Sequence, residues 1–232
     1  HQVRTVPAFA RYLIPLVFAG IFLALATVAL DKPGYHDAEV TFVPVSLRVL
    51  GQCDVDAAVT RSLGCYPLMQ AQGYVGAVKA WLHAPLFAQF GVNVWTVRLP
   101  SILIGLAAIL VLWSFARREL GTMWATLLLA LVATDPLLLN HARFDWGPQM
   151  IATLMRVLSL AALWRWLQTG SMRWLLLLCG AFLAGFADKL NFIWVIGAWT
   201  AAAALVAGGP ALDRLRSGKP WQPLIVGATA AL

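Results

Sequence analysis

The stretch YLIPLVFAGIFLALATVAL, residues 12–30, is uncharged throughout and has the length of roughly 20 residues that a helix needs to cross a membrane. Similar apolar stretches recur along the chain, separated by short charged segments. They predict about seven membrane spans: Tyr12–Leu30, Leu99–Ala116, Gly121–Leu139, Trp146–Trp164, Trp174–Ala187, Leu190–Ala207 and Trp221–Leu232, the last reaching the end of the sequence. The fold class we predict is therefore all-α, a polytopic transmembrane helical bundle, with residues 1–232 forming a single transmembrane domain.

The composition supports a membrane protein. Hydrophobic residues make up 61% of the chain and charged residues only 12%, whereas a soluble domain carries about 25% charged residues. The net charge of +7 would be compatible with nucleic-acid binding in a soluble protein. Here the Lys and Arg residues stand between apolar runs, where they orient helices in the bilayer. We therefore expect membrane lipids, and not nucleic acid, among the partners.

The basic residues also predict the orientation of the bundle. If the spans alternate, one side receives Arg4, Arg11, Arg117, Arg118, Arg165, Arg173, Arg214, Arg216 and Lys219. By the positive-inside rule this side is cytoplasmic. The long loop of residues 31–98, a turn at Asn140–Asp145, and the Asp188-Lys189 pair then face outward. Most of the acidic residues lie on that outward side.

The outward loop contains two features of its own. Tyr74–Phe90 is apolar and aromatic with a single Lys, which is typical of an interfacial or re-entrant helix. A genuine eighth span is the alternative. Cys53 and Cys65 lie in the same loop, and they are a candidate disulfide if the loop faces an oxidising compartment.

Several acidic residues on the outward side are candidates for chemistry. Asp37 and Glu39 follow the first span and could act as a general base or bind a divalent metal, or could simply be solvated. Asp145 is a second candidate, although it could instead cap the fourth span. Asp188 and Lys189 end a fifth span of roughly 21 Å, shorter than the hydrocarbon core of about 30 Å. We therefore expect them beneath the outer surface, either in a site or as a buried ion pair.

Two further sets of polar residues stay open on the sequence alone. Arg156 lies inside the fourth span, where it either faces the bundle interior or extends towards the cytoplasm. His36, His83 and His141 all fall on the outward side, but their spacing matches no metal-ligand signature. A divalent metal is therefore an open question, and no cofactor is predicted with certainty.

Four segments of the chain resemble a known family. They are the acidic motif GYHDAE (residues 34–39) after the first span, GYVGAVKAWLHAPLFAQFGVNVWTVRLPSIL (73–103), ARFDWGP (142–148) and ADKLNFIW (187–194). Together they are similar to the GT-C glycosyltransferases that use polyprenyl-phosphate sugars, a family 39-like group with bacterial members. The protein O-mannosyltransferases and the lipid A aminoarabinose transferase belong to it. Many relatives have a Lys-Pro pair in the second segment, whereas here Ala80 follows Lys79.

The resemblance implies a membrane glycosyltransferase that moves a sugar from a polyprenyl-phosphate donor to a hydroxyl on a protein, lipid or glycan, with inversion at the anomeric carbon. It implies a bacterial inner-membrane protein with an outward-facing site, and a chain that holds the N-terminal half of a longer protein. The implied catalytic carboxylates are Asp37, Glu39 and Asp145, with Asp37 as the base. The implied donor-phosphate ligands are Lys79, Arg98, Arg143 and Lys189. A transporter or lipid-handling membrane protein without catalysis is the alternative.

Overall fold

Helices form most of the described part of the chain, which comprises residues 8–32, 34–70, 73–144 and 148–217 of this computed structural model. They are α1 (Ala8–Thr27), α2 (Asp37–Val49), α3 (Val78–Phe90), α4 (Val94–Ala133), α5 (Pro136–Phe144), α6 (Gln149–Thr169), α7 (Met172–Asp188) and α8 (Ile193–Ser217). Two strands, β1 (Val59–Leu63) and β2 (Tyr66–Gln70), pair antiparallel as a hairpin. The predicted all-α fold class is confirmed, with this hairpin as an addition that the sequence pattern did not predict.

Within the described residues, three segments are long and apolar enough to cross a membrane, namely Val94–Ala133, Gln149–Thr169 and Leu190–Gly209. Tyr12–Thr27 is a shorter apolar helix. The 40 residues of α4 correspond to about 60 Å of helix, twice the roughly 30 Å hydrocarbon core. The helix breaks at Gly121, whose φ of 83° lies outside the helical region and is readily adopted by glycine. The two parts of α4 correspond to the predicted second and third spans.

The end of the predicted third span requires a correction. The span Gly121–Leu139 and the turn Asn140–Asp145 are wrong in detail, because helix stops at Ala133 and a new helix, α5, begins at Pro136. Asp135 Oδ2 accepts a hydrogen bond from the Leu138 backbone N–H at 2.7 Å, as an N-cap side chain does. Proline at the first helical position is equally typical of a helix start. The predicted span Trp221–Leu232 lies outside the described residues.

Two apolar clusters hold the bundle together. The first joins α1, α4, α5 and α6, and includes Phe22, Ile102 and Met150. Gly105 of α4 permits this packing, because a Cβ there would lie 3.2 Å from both Met150 Sδ and Phe22 Cζ. The second cluster joins α6, α7 and α8 through Leu163, Leu167, Leu178 and Ala207.

The segments between α1 and α4 gather at one end of the bundle. We call the end that carries α2, the hairpin and α3 the loop end, and the opposite end, with Arg118 and Arg165, the basic end. Helix α3 has 13 residues, about 20 Å of helix, which is too short to cross a core of roughly 30 Å. Its length favours the interfacial or re-entrant helix over an eighth span.

A disulfide fastens the hairpin to the segment that follows α2. Cys53 and Cys65 are bonded, with their Cα atoms 5.3 Å apart. Cys65 lies in the turn of the hairpin, so the bond ties the tip of the hairpin back towards the end of α2. Val45 of α2 packs with Ala77 and Ala80 in a small apolar cluster at the loop end.

Candidate active site at the loop end

Arg98 of α4 connects four segments at the loop end. Its Nε donates to Glu39 Oε1 at 2.6 Å and its Nη2 donates to Glu39 Oε2 at 2.8 Å, which makes a bidentate ion pair. The same guanidinium donates to the backbone carbonyls of Leu30 and Gly34. It also lies over the Phe144 ring, 4.9 Å from the centroid. One side chain therefore fixes the loop after α1, the start of α2 and the end of α5.

Glu39 is enclosed by these contacts. Its Oε2 also accepts a hydrogen bond from the His36 backbone N–H at 2.7 Å, which closes the first turn of α2. The side chains of Glu39 and Arg98 are both 0% exposed. The resemblance to the GT-C glycosyltransferases implies a catalytic role for Glu39 and a phosphate-binding role for Arg98. The structure instead places the two charges against each other, where they can position neighbouring residues but are closed to a substrate.

Asp37 differs from Glu39 in being open to the surroundings. It is the first residue of α2 and is exposed. Residues two positions apart on an α-helix, such as Asp37 and Glu39, are separated by about 200° around the helix axis, because a turn takes 3.6 residues. The Asp-Ala-Glu spacing therefore directs one carboxylate into the protein and leaves the other on the surface. Of the two, Asp37 is the carboxylate that a ligand can reach.

The end of α5 lies against the same loop. The rings of Phe144 and His36 have centroids 6.1 Å apart, which brings Phe144 next to the residue that precedes Asp37. Arg143 Nη2 donates to the Val28 carbonyl at 2.9 Å, so this guanidinium is bound to the backbone that follows α1. Asp145 follows Phe144 directly but lies outside the described residues.

A backbone seam joins the segment before α3 to the end of α7. The Gly76 N–H donates to the Asp188 carbonyl at 2.9 Å, and the Leu190 N–H donates to the Tyr74 carbonyl at 2.9 Å. A Cβ on Gly76 would lie only 1.7 Å from the Ala187 carbonyl oxygen. Glycine is therefore required at position 76 for α7 to approach this closely.

The seam places two lysines at the loop end. Lys189, directly after α7, is half-buried, and its Nζ lies 5.8 Å from the centroid of the Tyr74 ring. Lys79, in the first turn of α3, is 2% exposed, and its Nζ lies 4.2 Å from the centroid of the Phe42 ring of α2. Asp188 is fully buried beside Lys189 in the chain. Four cations are implied as phosphate ligands, namely Lys79, Arg98, Arg143 and Lys189. Of these, Lys189 is half-buried, and within the described residues no hydrogen bond joins its ammonium to a backbone carbonyl.

The histidines do not converge. His83 links α3 to α4, with Nδ1 2.7 Å from the Lys79 carbonyl oxygen and Nε2 3.0 Å from the Val97 carbonyl oxygen. His36 lies beside Phe144, in the α1–α2 loop. Within residues 8–32, 34–70, 73–144 and 148–217, no group of three or more His, Cys, Asp or Glu is placed to hold a metal ion.

Two residues that contribute to this site, Phe144 and Gly76, were not predicted from the sequence. Phe144 contacts both His36 and Arg98, and an aromatic residue at the end of a short helix carries no distinguishing signal. Gly76 is essential to the seam, and its position in a Gly-rich segment before α3 could have indicated a close backbone approach.

The fold and this site define a polytopic α-helical membrane protein whose ionisable groups gather with short loops and helices at one end of the bundle. Residues 75–232 match the family described as dolichyl-phosphate-mannose-protein mannosyltransferase, and the chain belongs to this family. The resemblance to GT-C glycosyltransferases is thereby confirmed. The match begins after the acidic motif of residues 34–39. No curated protein and no solved structure matches the chain.

Proposed function

We propose that this protein is a membrane glycosyltransferase that moves a sugar from a polyprenyl-phosphate donor to a hydroxyl group of an acceptor. The family supports the donor class, because dolichyl phosphate is a polyprenyl phosphate. Family membership also favours a transferase over a transporter or lipid-handling protein. The observation that carries the proposal in this chain is the exposed Asp37 carboxylate, held at the loop end by the buried Arg98–Glu39 pair.

Asp37 is the general base in this proposal. It takes the proton of the acceptor hydroxyl as the hydroxyl oxygen attacks the anomeric carbon. The bond between that carbon and the phosphate oxygen breaks, and polyprenyl phosphate leaves with the electron pair. A single displacement of this kind inverts the anomeric centre. Asp145 is a second proposed carboxylate, since it follows Phe144, which lies beside His36.

Cations at the loop end stabilise the negative charge that grows on the departing phosphate. Lys189 is the foremost of these, because it is half-buried and its ammonium lies over Tyr74 rather than on a backbone carbonyl. Lys79 of α3 is more deeply buried, with its ammonium against the Phe42 ring, and it is a second proposed cation of the site. Arg98 and Arg143 hold the backbone around Asp37 and take no direct part in phosphate binding.

The loop end faces outward in this proposal, and the basic end faces the cytoplasm. The distribution of Arg and Lys supports this orientation. The membrane is the inner membrane of a bacterium, and a protein, lipid or glycan hydroxyl on its outer side is the acceptor. Asp37 at the start of α2 and Lys189 directly after α7 are both contributed to this end of the bundle.

The test is the Asp37→Asn variant, purified and assayed for sugar transfer from a polyprenyl-phosphate sugar. The amide keeps the size of the side chain but cannot accept the hydroxyl proton. We expect a loss of transfer of at least about 100-fold, the lower range of general-base contributions. Donor binding and the thermal unfolding temperature should stay unchanged, because Asp37 is exposed.

The matched control is Asp54→Asn, which removes another exposed carboxylate from the same loop region. This variant should transfer sugar at the wild-type rate. Activity of Asp37→Asn within a few-fold of wild type would show that the base is elsewhere, and Asp145 would then become the leading candidate.

A further inference from the structure

The basic end of the bundle carries a network of polar side chains for which the proposed function gives no role. Glu119 of α4, which is half-buried, lies at its centre. Its Oε2 accepts hydrogen bonds from Trp164 Nε1 at 2.7 Å and from Gln168 Nε2 at 3.1 Å, both on α6. Its Oε1 lies 3.6 Å from Nε of the neighbouring Arg118. One carboxylate therefore joins α4 to α6 just before the bend of α4.

The same network holds Arg165 of α6 in place. Arg165 Nη1 donates to Gln168 Oε1 at 2.8 Å. Its guanidinium also lies over the Trp174 ring at the start of α7, 5.5 Å from the centroid. Gln168 thus contacts Arg165 with its amide oxygen and Glu119 with its amide nitrogen. A continuous series of contacts therefore runs from Arg118 to Trp174 and joins α4, α6 and α7.

The charges of this network do not balance. Arg118 and Arg165 are close enough to repel each other electrostatically, and Glu119 is the one carboxylate of the network within the described residues. Arg165 forms no ion pair in the part of the chain that the structure describes. Its Nε is buried and has no hydrogen-bond partner there, and a buried N–H without an acceptor is costly. The network therefore carries an uncompensated positive charge and lacks an acceptor.

The network lies where the helices reach the membrane surface. Helix α6 is long and apolar enough to cross a membrane, and it ends at Thr169, a few residues after Arg165. Tryptophans such as Trp164 and Trp174 are enriched at the membrane–water interface, at the level of the lipid headgroups. The side chain of Arg118 is 53% exposed. A ligand at the membrane surface can therefore reach the network.

The surroundings of the network favour a lipid as that ligand. By the positive-inside rule the basic end faces the cytoplasmic leaflet, whose anionic lipids give the surface a negative potential. Basic pockets between transmembrane helices on that side bind anionic headgroups. Helix α7 continues from Trp174 with the exposed apolar side chains of Leu176 and Leu177, a surface that suits acyl chains and that a free phosphate ion would not use.

We propose that Arg118, Arg165 and Trp174 form a binding site for the headgroup of an anionic glycerophospholipid of the surrounding bilayer. The lipid phosphate accepts hydrogen bonds from the guanidinium groups, whose planar geometry matches phosphate oxygens, and it neutralises the uncompensated charge. A zwitterionic lipid is disfavoured, because it brings a positive choline group to the same place. The site is separate from the proposed sugar transfer, since it lies at the opposite end of the bundle from Asp37 and Lys189.

The test measures lipid binding to the purified protein in detergent by native mass spectrometry. The probes are didecanoyl phosphatidylglycerol and didecanoyl phosphatidylcholine in an equimolar mixture, with and without inorganic phosphate as a competitor. The variants are Arg118→Gln, Arg165→Gln and Arg165→Lys. The control is Arg173→Gln, which removes an exposed arginine of the same end that, within the described residues, takes no part in the network. Thermal unfolding is followed for every variant.

We expect the wild-type protein to prefer phosphatidylglycerol by about tenfold or more, the effect of one charge-assisted hydrogen-bond partner. Arg118→Gln and Arg165→Gln should each remove most of this preference, and Arg173→Gln should bind as wild type does. Arg165→Lys should keep part of it, because lysine retains the charge but not the planar fork. If Arg165→Gln does not fold, Arg118→Gln supplies the measurement, since it changes an exposed side chain.

Four results would overturn the inference. Equal binding of the two lipids by the wild-type protein would exclude an anionic-lipid site. An equal loss of preference in Arg173→Gln and Arg165→Gln would show a diffuse positive surface instead of a site. Displacement of phosphatidylglycerol by an equimolar amount of inorganic phosphate would assign the site to the free ion. A lower unfolding temperature of Arg165→Gln with an unchanged lipid preference would show that Arg165 only joins the helices.

Discussion

At the scale of single residues, the two carboxylates at the start of α2 have opposite environments. Glu39 is enclosed and bound by Arg98 through both carboxylate oxygens, whereas Asp37 is exposed. Removing one charge of a buried pair strands the other, which costs about 3–5 kcal/mol. Removing an exposed charge has little effect on stability. The same chemical change should therefore have different consequences at these two positions.

We predict that Glu39→Gln lowers the free energy of unfolding by about 3–5 kcal/mol, because the Arg98 guanidinium keeps its charge without a counter-charge. Asp37→Asn should leave stability unchanged while it abolishes transfer. Unfolding of both variants in the same detergent provides the comparison. A stable Glu39→Gln that lacks only activity would mean that Glu39 itself acts on the substrate, contrary to the positioning role inferred from its burial.

At the scale of secondary-structure elements, the contact between the segment before α3 and the end of α7 depends on Gly76. We predict that Gly76→Ala destabilises the protein by at least the roughly 1–3 kcal/mol typical of overpacking, because the new methyl group would meet backbone that cannot rotate away. Gly180→Ala in α7 has open space around the new Cβ and is the matched control. Equal unfolding temperatures for the two variants would show that the seam is looser than the structure indicates.

The hairpin is a second element whose stability can be measured separately. We predict that Cys53 and Cys65 are disulfide-bonded in the purified protein. The two cysteines are 12 residues apart in the sequence. Reduction of the bond should lower the free energy of unfolding by about 3 kcal/mol, the chain-entropy value for a short loop. Mass spectrometry after alkylation without reduction reads out the bond, and Cys179, which is free and exposed, is the internal control. Alkylation of all three thiols would contradict the prediction.

At the scale of the whole molecule, the orientation of the bundle decides which side of the membrane the candidate site serves. We predict that a cysteine introduced at Ser62 in the hairpin reacts with a membrane-impermeant maleimide in intact cells. A cysteine at Leu120, beside the bend of α4, should react only after the membrane is opened. The background carries Cys179→Ser, and the Cys53–Cys65 bond blocks the remaining thiols.

The physical reason for this expectation is that Arg117 and Arg118 precede the bend, and short basic loops stay on the cytoplasmic side. Labelling of the Leu120 position in intact cells, with protection of Ser62, would reverse the bundle. It would also remove the outward-facing site on which the proposed transferase depends.

The sequence by itself determined the parts of this protein that depend on local, periodic or compositional signals. Long apolar runs need a bilayer, so the all-α membrane class could be read from hydrophobicity alone. The break at Gly121 also marked a predicted boundary. The Asp-Pro pair at residues 135–136 is a helix-start signal, but it lies within the apolar run of the predicted span Gly121–Leu139, so α5 was not predicted.

Only the tertiary structure decided which ionisable residues face each other. Arg98 and Glu39 are 59 positions apart, and Gly76 and Asp188 are more distant still; no local pattern relates such residues. A charged residue in the sequence is equally compatible with a ligand site and with a buried pair. The choice between them depends on which helices approach closely enough to exclude water, and the packing of the whole bundle fixes that approach. It enclosed Glu39 and left Asp37 open.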